Sequence, residues 1–118
     1  MNIEQLRDFC LSFPEAGEKM PFDDDILVFT VCDKIFCLVS TKNYEFMNLK
    51  CNPEKAIELR ERYSEVSPGY HMNKKHWNSV RVEGNLSEEM LKEWISDSYW
   101  LVVNTLPKKR KELLKSNG

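Results

Sequence analysis

The segment Ile26–Ser40 constrains the fold most. Two β-rich runs, Ile26–Val31 and Ile35–Ser40, are separated only by Cys32-Asp33-Lys34, a spacing that predicts a tight turn and a hairpin. A third run, Glu45–Cys51, alternates, with Met47, Leu49 and Cys51 on one side and Phe46, Asn48 and Lys50 on the other. On either side of this block the hydrophobic period becomes helical. Asn2 followed by Gln5 makes a capping-box-like start, after which Ile3, Leu6, Phe9, Cys10 and Phe13 recur at helical spacing until Pro14 and Gly17. Downstream, Asn52-Pro53 places a cap and a first-turn proline ahead of Ala56, Ile57, Leu59, Arg60 and Tyr63.

Beyond that helix, Val66–Met72 reads as extended and broken at Pro68-Gly69, and a polar turn at Asn73–His76 leads into the strand Trp77–Val82. Ser87 caps a last long helix whose apolar stripe is Leu91, Trp94, Ile95, Ser98, Leu101, Val102 and Thr105. Pro107 ends it. The order α-β-β-β-α-β-β-α predicts an α+β fold: a two-layer α/β sandwich with a mainly antiparallel five-stranded sheet and helices on one face. Residues 1–110 are expected to form a single domain and residues 111–118 a basic, polar C-terminal tail, since 118 residues suffice for one core and not for two.

Formal net charge is −2, which argues against a chain that binds nucleic acid all over its surface. The charge is uneven. Residues 1–33 hold eight acids and two bases, whereas residues 34–118 hold eleven acids and fifteen bases. An anion-binding surface is therefore expected on the later part of the chain. The four cysteines, Cys10, Cys32, Cys37 and Cys51, form neither a C-x-x-C pair nor a zinc-site spacing, and are read as reduced, mostly buried thiols with Cys32 the most exposed. The longest apolar runs are too short to span a membrane and the N-terminus shows no secretory leader, so a cytoplasmic location is the expectation.

Catalytic patterns are missing. The glycines stand far apart, so no phosphate-cradling loop or dinucleotide fingerprint forms; no G-x-S-x-G elbow occurs; His71 and His76 lack the zinc-protease spacing. Neither an enzyme nor a cofactor is expected, and a metal or ligand site at the two histidines has little support. What remains is a dense segment from Pro68 to Val80. It offers Asn73, Lys74, Lys75, His76 and Trp77 around one turn, the lysines suited to phosphates and the indole to stacking. Its bland reading is a solvated turn with an anchoring tryptophan. If Met47, Leu49, Val80 and Val82 face the helices, then Asn48, Lys50, Trp77, Ser79 and Arg81 share the open face. Lys108–Lys111 reads as a flexible phosphate-contacting arm or as a solvated segment that complements the preceding helix C-terminus.

Pro21-Phe22-Asp23, Asn48-Leu49-Lys50-Cys51 before Asn52-Pro53, Pro68-Gly69-Tyr70-His71-Met72-Asn73-Lys74 with His76-Trp77-Asn78, and Leu106-Pro107-Lys108-Lys109 occur in that order. In these motifs the chain resembles the MmcQ/YjbR family to about Arg110. The resemblance implies a CyaY-like fold and a small bacterial protein described as DNA-binding through a double wing, with no enzymatic activity established. Carried over by position, one wing is the turn at Cys32–Lys34 and the other the turn at Asn73–His76. The first departs from a phosphate-binding wing, because it carries Asp33 and follows Asp23-Asp24-Asp25. The expected site is thus Lys50, His71, Asn73, Lys74, Lys75, His76, Trp77 and Arg81 with Lys108 and Lys109, and the expected partner is duplex DNA. The alternative is a protein- or peptide-binding module, or a homodimer, that uses the open sheet face around Trp77.

Overall fold

A computed structural model describes residues 1–22, 25–69 and 72–117 of the chain. Its elements are α1 (Ile3–Leu11), β1 (Ala16–Lys19), β2 (Ile26–Val31), β3 (Lys34–Ser40), β4 (Phe46–Lys50), α2 (Pro53–Arg62), β5 (Val66–Pro68), β6 (Trp77–Arg81), α3 (Glu88–Val103) and α4 (Lys108–Asn117). The strands form one antiparallel sheet in the order β1-β2-β3-β4-β6-β5. The helix starts follow the capping chemistry of the sequence. Asn2 and Gln5 exchange side-chain-to-backbone hydrogen bonds at 2.8 and 2.9 Å, Asn52 Oδ1 accepts from the Glu54 amide, and Ser87 Oγ accepts from the Met90 amide.

Two elements exceed the expected order. β1 makes the sheet six-stranded rather than five-stranded: Ala16 to Lys19 pair with Val31 to Val28. Its four residues carry no apolar alternation, so the pairing rests on backbone bonds to β2, and Glu15 at φ 59 turns the chain out of α1 to reach it. α4 runs through Lys108–Lys111, which the sequence left as either a flexible arm or a solvated segment. Leu114 is buried in the main core, and that packing holds a helix whose other residues are mostly polar.

All three of the expected helices do lie on one face. α1 brings Cys10 against Cys37, α2 brings Arg60 and the Ala56 carbonyl to Asn78, and α3 brings Ser98 between β3 and β4. Strand alternation alone would turn Phe36 away from this layer. The β2–β3 register instead pairs Phe29 with Cys37 and Thr30 with Ile35, which skips Phe36 and makes a bulge. The Phe36 ring thereby meets Tyr99 at 5.2 Å and Phe13 at 6.0 Å between centroids. Ser98 Oγ donates to the Phe36 carbonyl at 2.6 Å and accepts from the Lys50 amide at 2.8 Å, so a helix side chain bridges the two strands where their pairing ends.

The thiols are free, as expected, with Cys10 and Cys37 buried and Cys32 and Cys51 half-buried. The hydrogen bond to Cys37 and burial together push the Cys10 thiol far above its ordinary range. Burial also pushes the Tyr99 phenol up to about 12 and raises Tyr44, whose hydroxyl has no partner among the described residues. The unfolded chain releases these protons near pH 10, whereas the folded chain keeps them. The stabilisation is present below about pH 10 and is lost as pH rises through about 12. The urea midpoint is therefore expected to fall between about pH 10 and about pH 12, less steeply in Tyr99→Phe; identical profiles for the two proteins would contradict this account.

Candidate nucleic-acid interface

The pairing registers place both predicted wings at the same end of the sheet. The hairpin closes at Val31 and Lys34, and β3 runs away from it. Because Cys37 pairs with Leu49, the last residue of β4, Lys50, returns to that end, and Lys50 pairs with Trp77 at the start of β6. The turn Asn73–His76 immediately precedes Trp77. From the β2–β3 turn to the β6 entry the sheet crosses three interstrand spacings, about 14 Å.

The first turn has Cys32 at φ 49 and Asp33 at φ 65, the left-handed pair that a two-residue hairpin requires. Asp33 is 94 % exposed and pairs with Lys19 at 3.3 Å. The cations this turn lacks come from α4. Arg110 Nη1 donates to Cys32 Sγ at 3.7 Å, and Lys109 and Arg110 border the same hollow as Cys32 and Lys34. Lys34 Nζ in turn donates to Thr105 Oγ1 at 3.3 Å, after the C-terminus of α3. Lys109 is thus brought to the first wing by tertiary packing, whereas Lys108 stands exposed at the start of α4 and does not line the hollow. Arg110, which the family motif does not include, is the residue that touches the turn.

The second turn is built from Asn73. Its Oδ1 accepts from the Lys75 amide at 2.8 Å, and its carbonyl accepts from the His76 and Trp77 amides at 3.3 and 3.0 Å. Asn73 therefore shapes the turn, while Lys74 and Lys75 stand exposed on it. His76 is half-buried and its carbonyl accepts from the Cys51 amide at 2.7 Å, which ties the turn to β4. Arg60 of α2 clamps the whole segment. Its Nε donates to Asn78 Oδ1 at 2.7 Å, and its Nη2 donates to the carbonyls of Lys74 and, at 3.3 Å, Trp77. The sequence showed Arg60 only as one position of a helical pattern, with no signal of this role.

Three expected site residues stand differently. Trp77 lies on the face opposite the helices, as alternation predicts, but it is only 9 % exposed and offers no stacking surface. A Cβ on Gly69 would stand 2.7 Å from Trp77 Cβ, so the indole is held where β5 crosses close to β6. Arg81 is at the far end of β6, four residues from Trp77, or about 13 Å. There its guanidinium lies 4.7 Å from the centre of the Phe46 ring, and its amide donates to the Glu65 carbonyl. Alternation fixes the face of a side chain and says nothing of its position along the strand. His71 lies outside the described residues. The helix-free face is a trough of about 450 Å³, with Leu38, Phe46, Asn48 and Ser79 among its lining, rather than a platform around an exposed indole. Among the described residues no cluster of His, Cys, Asp and Glu could hold a metal, and no helix is long and apolar enough to cross a membrane.

The result is a polarised molecule. Lys34, Lys50, Lys74, Lys75, Lys109 and Arg110 gather with Asp33 at the end with the two turns, whereas Asp25, Glu45 and Glu65 lie with Arg81 at the other, where β2 and β4 begin and β6 ends. The fold and this arrangement define a two-layer α+β domain with a pair of turns at one end of its sheet. The YjbR family model matches residues 11–101, and the chain belongs to the YjbR family. It is 39% identical to the uncharacterised protein YbdF of Escherichia coli O157:H7 over 107 residues, 90% of this chain and 88% of the relative. With the uncharacterised protein YjbR of Escherichia coli K12 the identity is 33% over 115 residues, 97% and 98% of the two chains. The crystal structure of the Deinococcus radiodurans protein DR2400 superposes with a TM-score of 0.88 at 35% identity, covering 97% of this chain and 88% of that one. A Pseudomonas syringae protein superposes with a TM-score of 0.73 at 28% identity, covering 86% of this chain and 98% of that one.

Proposed function

We propose that this protein binds the phosphate backbone of duplex DNA through the end of the sheet that carries both turns. The supporting observation is that two turns about 14 Å apart by strand count share one end of the sheet, one carrying Lys74 and Lys75 and the other flanked by Lys34, Lys109 and Arg110. That separation compares with a major groove about 12 Å wide, so each turn meets the phosphates of one groove wall. Lys74 and Lys75 serve one wall, and Lys34, Lys109 and Arg110 serve the other. The acids at the far end leave net charge near neutral while orienting the cationic end toward a polyanion. The contacts are to phosphates, so the reading predicts weak sequence preference and no stacking by Trp77.

The test is fluorescence anisotropy of a labelled duplex across a salt series. Binding is expected to weaken steeply with salt, and Lys74→Ala/Lys75→Ala to lower the log–log slope by about 2, or about one for each lysine that neutralises a phosphate. A duplex that is not retained at about 50 mM salt, or a double variant with the wild-type slope, would refute the proposal.

A further inference from the structure

A separate cavity of about 300 Å³ opens between α2 and α3, above the end of the sheet where β4 and β6 meet. Its apolar walls are Leu49, Leu59, Val80, Trp94, Trp100 and Leu101, and Lys50 and Asn104 line it as well. Asn78 also lines it, but the amide is engaged by Arg60 and the Ala56 carbonyl, so the floor has little to offer a polar ligand. The opening is different. Lys55 of α2 and Asp97 of α3 both line the cavity and meet across it at 3.3 Å, each side chain 48 % exposed.

An exposed pair of this kind contributes at most about 1 kcal/mol, so parting it costs little. A simple anion entering beside Lys55 would face the Asp97 carboxylate, and a simple cation beside Asp97 would face the Lys55 ammonium. A ligand that carries an ammonium and a carboxylate on one carbon avoids this conflict and exchanges one ion pair for two. The volume lies at the low end for small-molecule pockets, enough for one ring or a branched aliphatic group against the two indoles. We infer that this cavity binds a free α-amino acid with an aromatic or branched apolar side chain, its carboxylate on Lys55, its ammonium on Asp97 and its side chain between Trp94 and Trp100. The inference is independent of DNA binding, since it uses neither turn.

The test is titration of the full chain, and of Trp77→Phe to leave Trp94 and Trp100 as its indoles, with L-phenylalanine and L-leucine, read by tryptophan fluorescence and by calorimetry. Phenethylamine and 3-phenylpropanoate serve as analogues that lack one charge each. Saturable binding of at least one amino acid is expected with a Kd at or below about 1 mM, and each analogue is expected to bind at least about tenfold more weakly. Leu101→Trp, which fills the cavity, should abolish binding. Lys55→Gln and Asp97→Asn alter only the exposed pair and should remove the preference for the zwitterion while leaving thermal unfolding in place. Absence of saturation at about 10 mM, equal binding of the singly charged analogues, or undiminished binding in Lys55→Gln would each overturn the assignment.

Discussion

Replacing Tyr99 with alanine is expected to remove about 4 kcal/mol of stability, a large part of what a domain of this size possesses. Tyr99 is fully buried at the centre of an aromatic cluster. Its ring stacks on Phe13 at 4.5 Å, meets Phe36 edge-on at 5.2 Å and meets Trp100 edge-on at 5.0 Å. The hydroxyl donates to the Pro14 carbonyl at 2.5 Å, which fixes the segment that leaves α1. Alanine would leave a cavity bordered by three elements and an unpaired carbonyl, two costs that fall on the same site. Tyr99→Phe separates them, because it keeps the ring and loses only the hydrogen bond, at about 1 kcal/mol. Urea denaturation of both variants checks the ratio. Equal losses would mean that the ring contributes nothing beyond the hydroxyl.

The second large effect is expected at Arg60. Alanine there would strip Asn78 Oδ1 of its donor in a residue only 2 % exposed, and release the Lys74 and Trp77 carbonyls from the guanidinium. The cost of a lost charged hydrogen bond plus an unpaired buried acceptor is about 3 kcal/mol. Arg60→Lys should recover only part of it, since one ammonium cannot reproduce a fork that reaches three acceptors. Amide hydrogen exchange should rise first at His76 and Trp77, where the turn enters β6. Duplex binding should weaken as well, although both turn lysines remain. If Arg60→Ala matches the wild type in exchange at these amides, the clamp has no energetic role.

The helix starts were legible because capping is local chemistry. Asn2 with Gln5, Asn52 with Pro53, and Ser87 satisfy backbone groups within three residues of themselves. The Ile26–Ser40 hairpin was legible for the same reason. β1 was not, because its Ala-Gly-Glu-Lys sequence carries no pattern and pairs only where β2 presents a free edge. α4 was hidden by its charge, with Leu114 as the one side chain that commits it to the core. For the candidate site, alternation put Trp77 on the face away from the helices, and the structure added its pairing with Lys50 across β4 and β6. Alternation misjudged Trp77, since an outward direction does not decide what approaches from that side, and it grouped Arg81 with cations at the other end of the strand.

What the sequence by itself determined was each element that short-range forces can specify: caps, periodicities, the tight turn and the helix-facing side of most strands. Tertiary structure alone decided the bulge that turns Phe36 inward, the reach of Arg60 to the Asn73–His76 turn, and the placement of Arg110 beside Cys32. The contacts that Phe36, Arg60 and Arg110 make join residues 14 to 78 positions apart, and their energy exists only once the packed layers have brought the partners within a few ångströms.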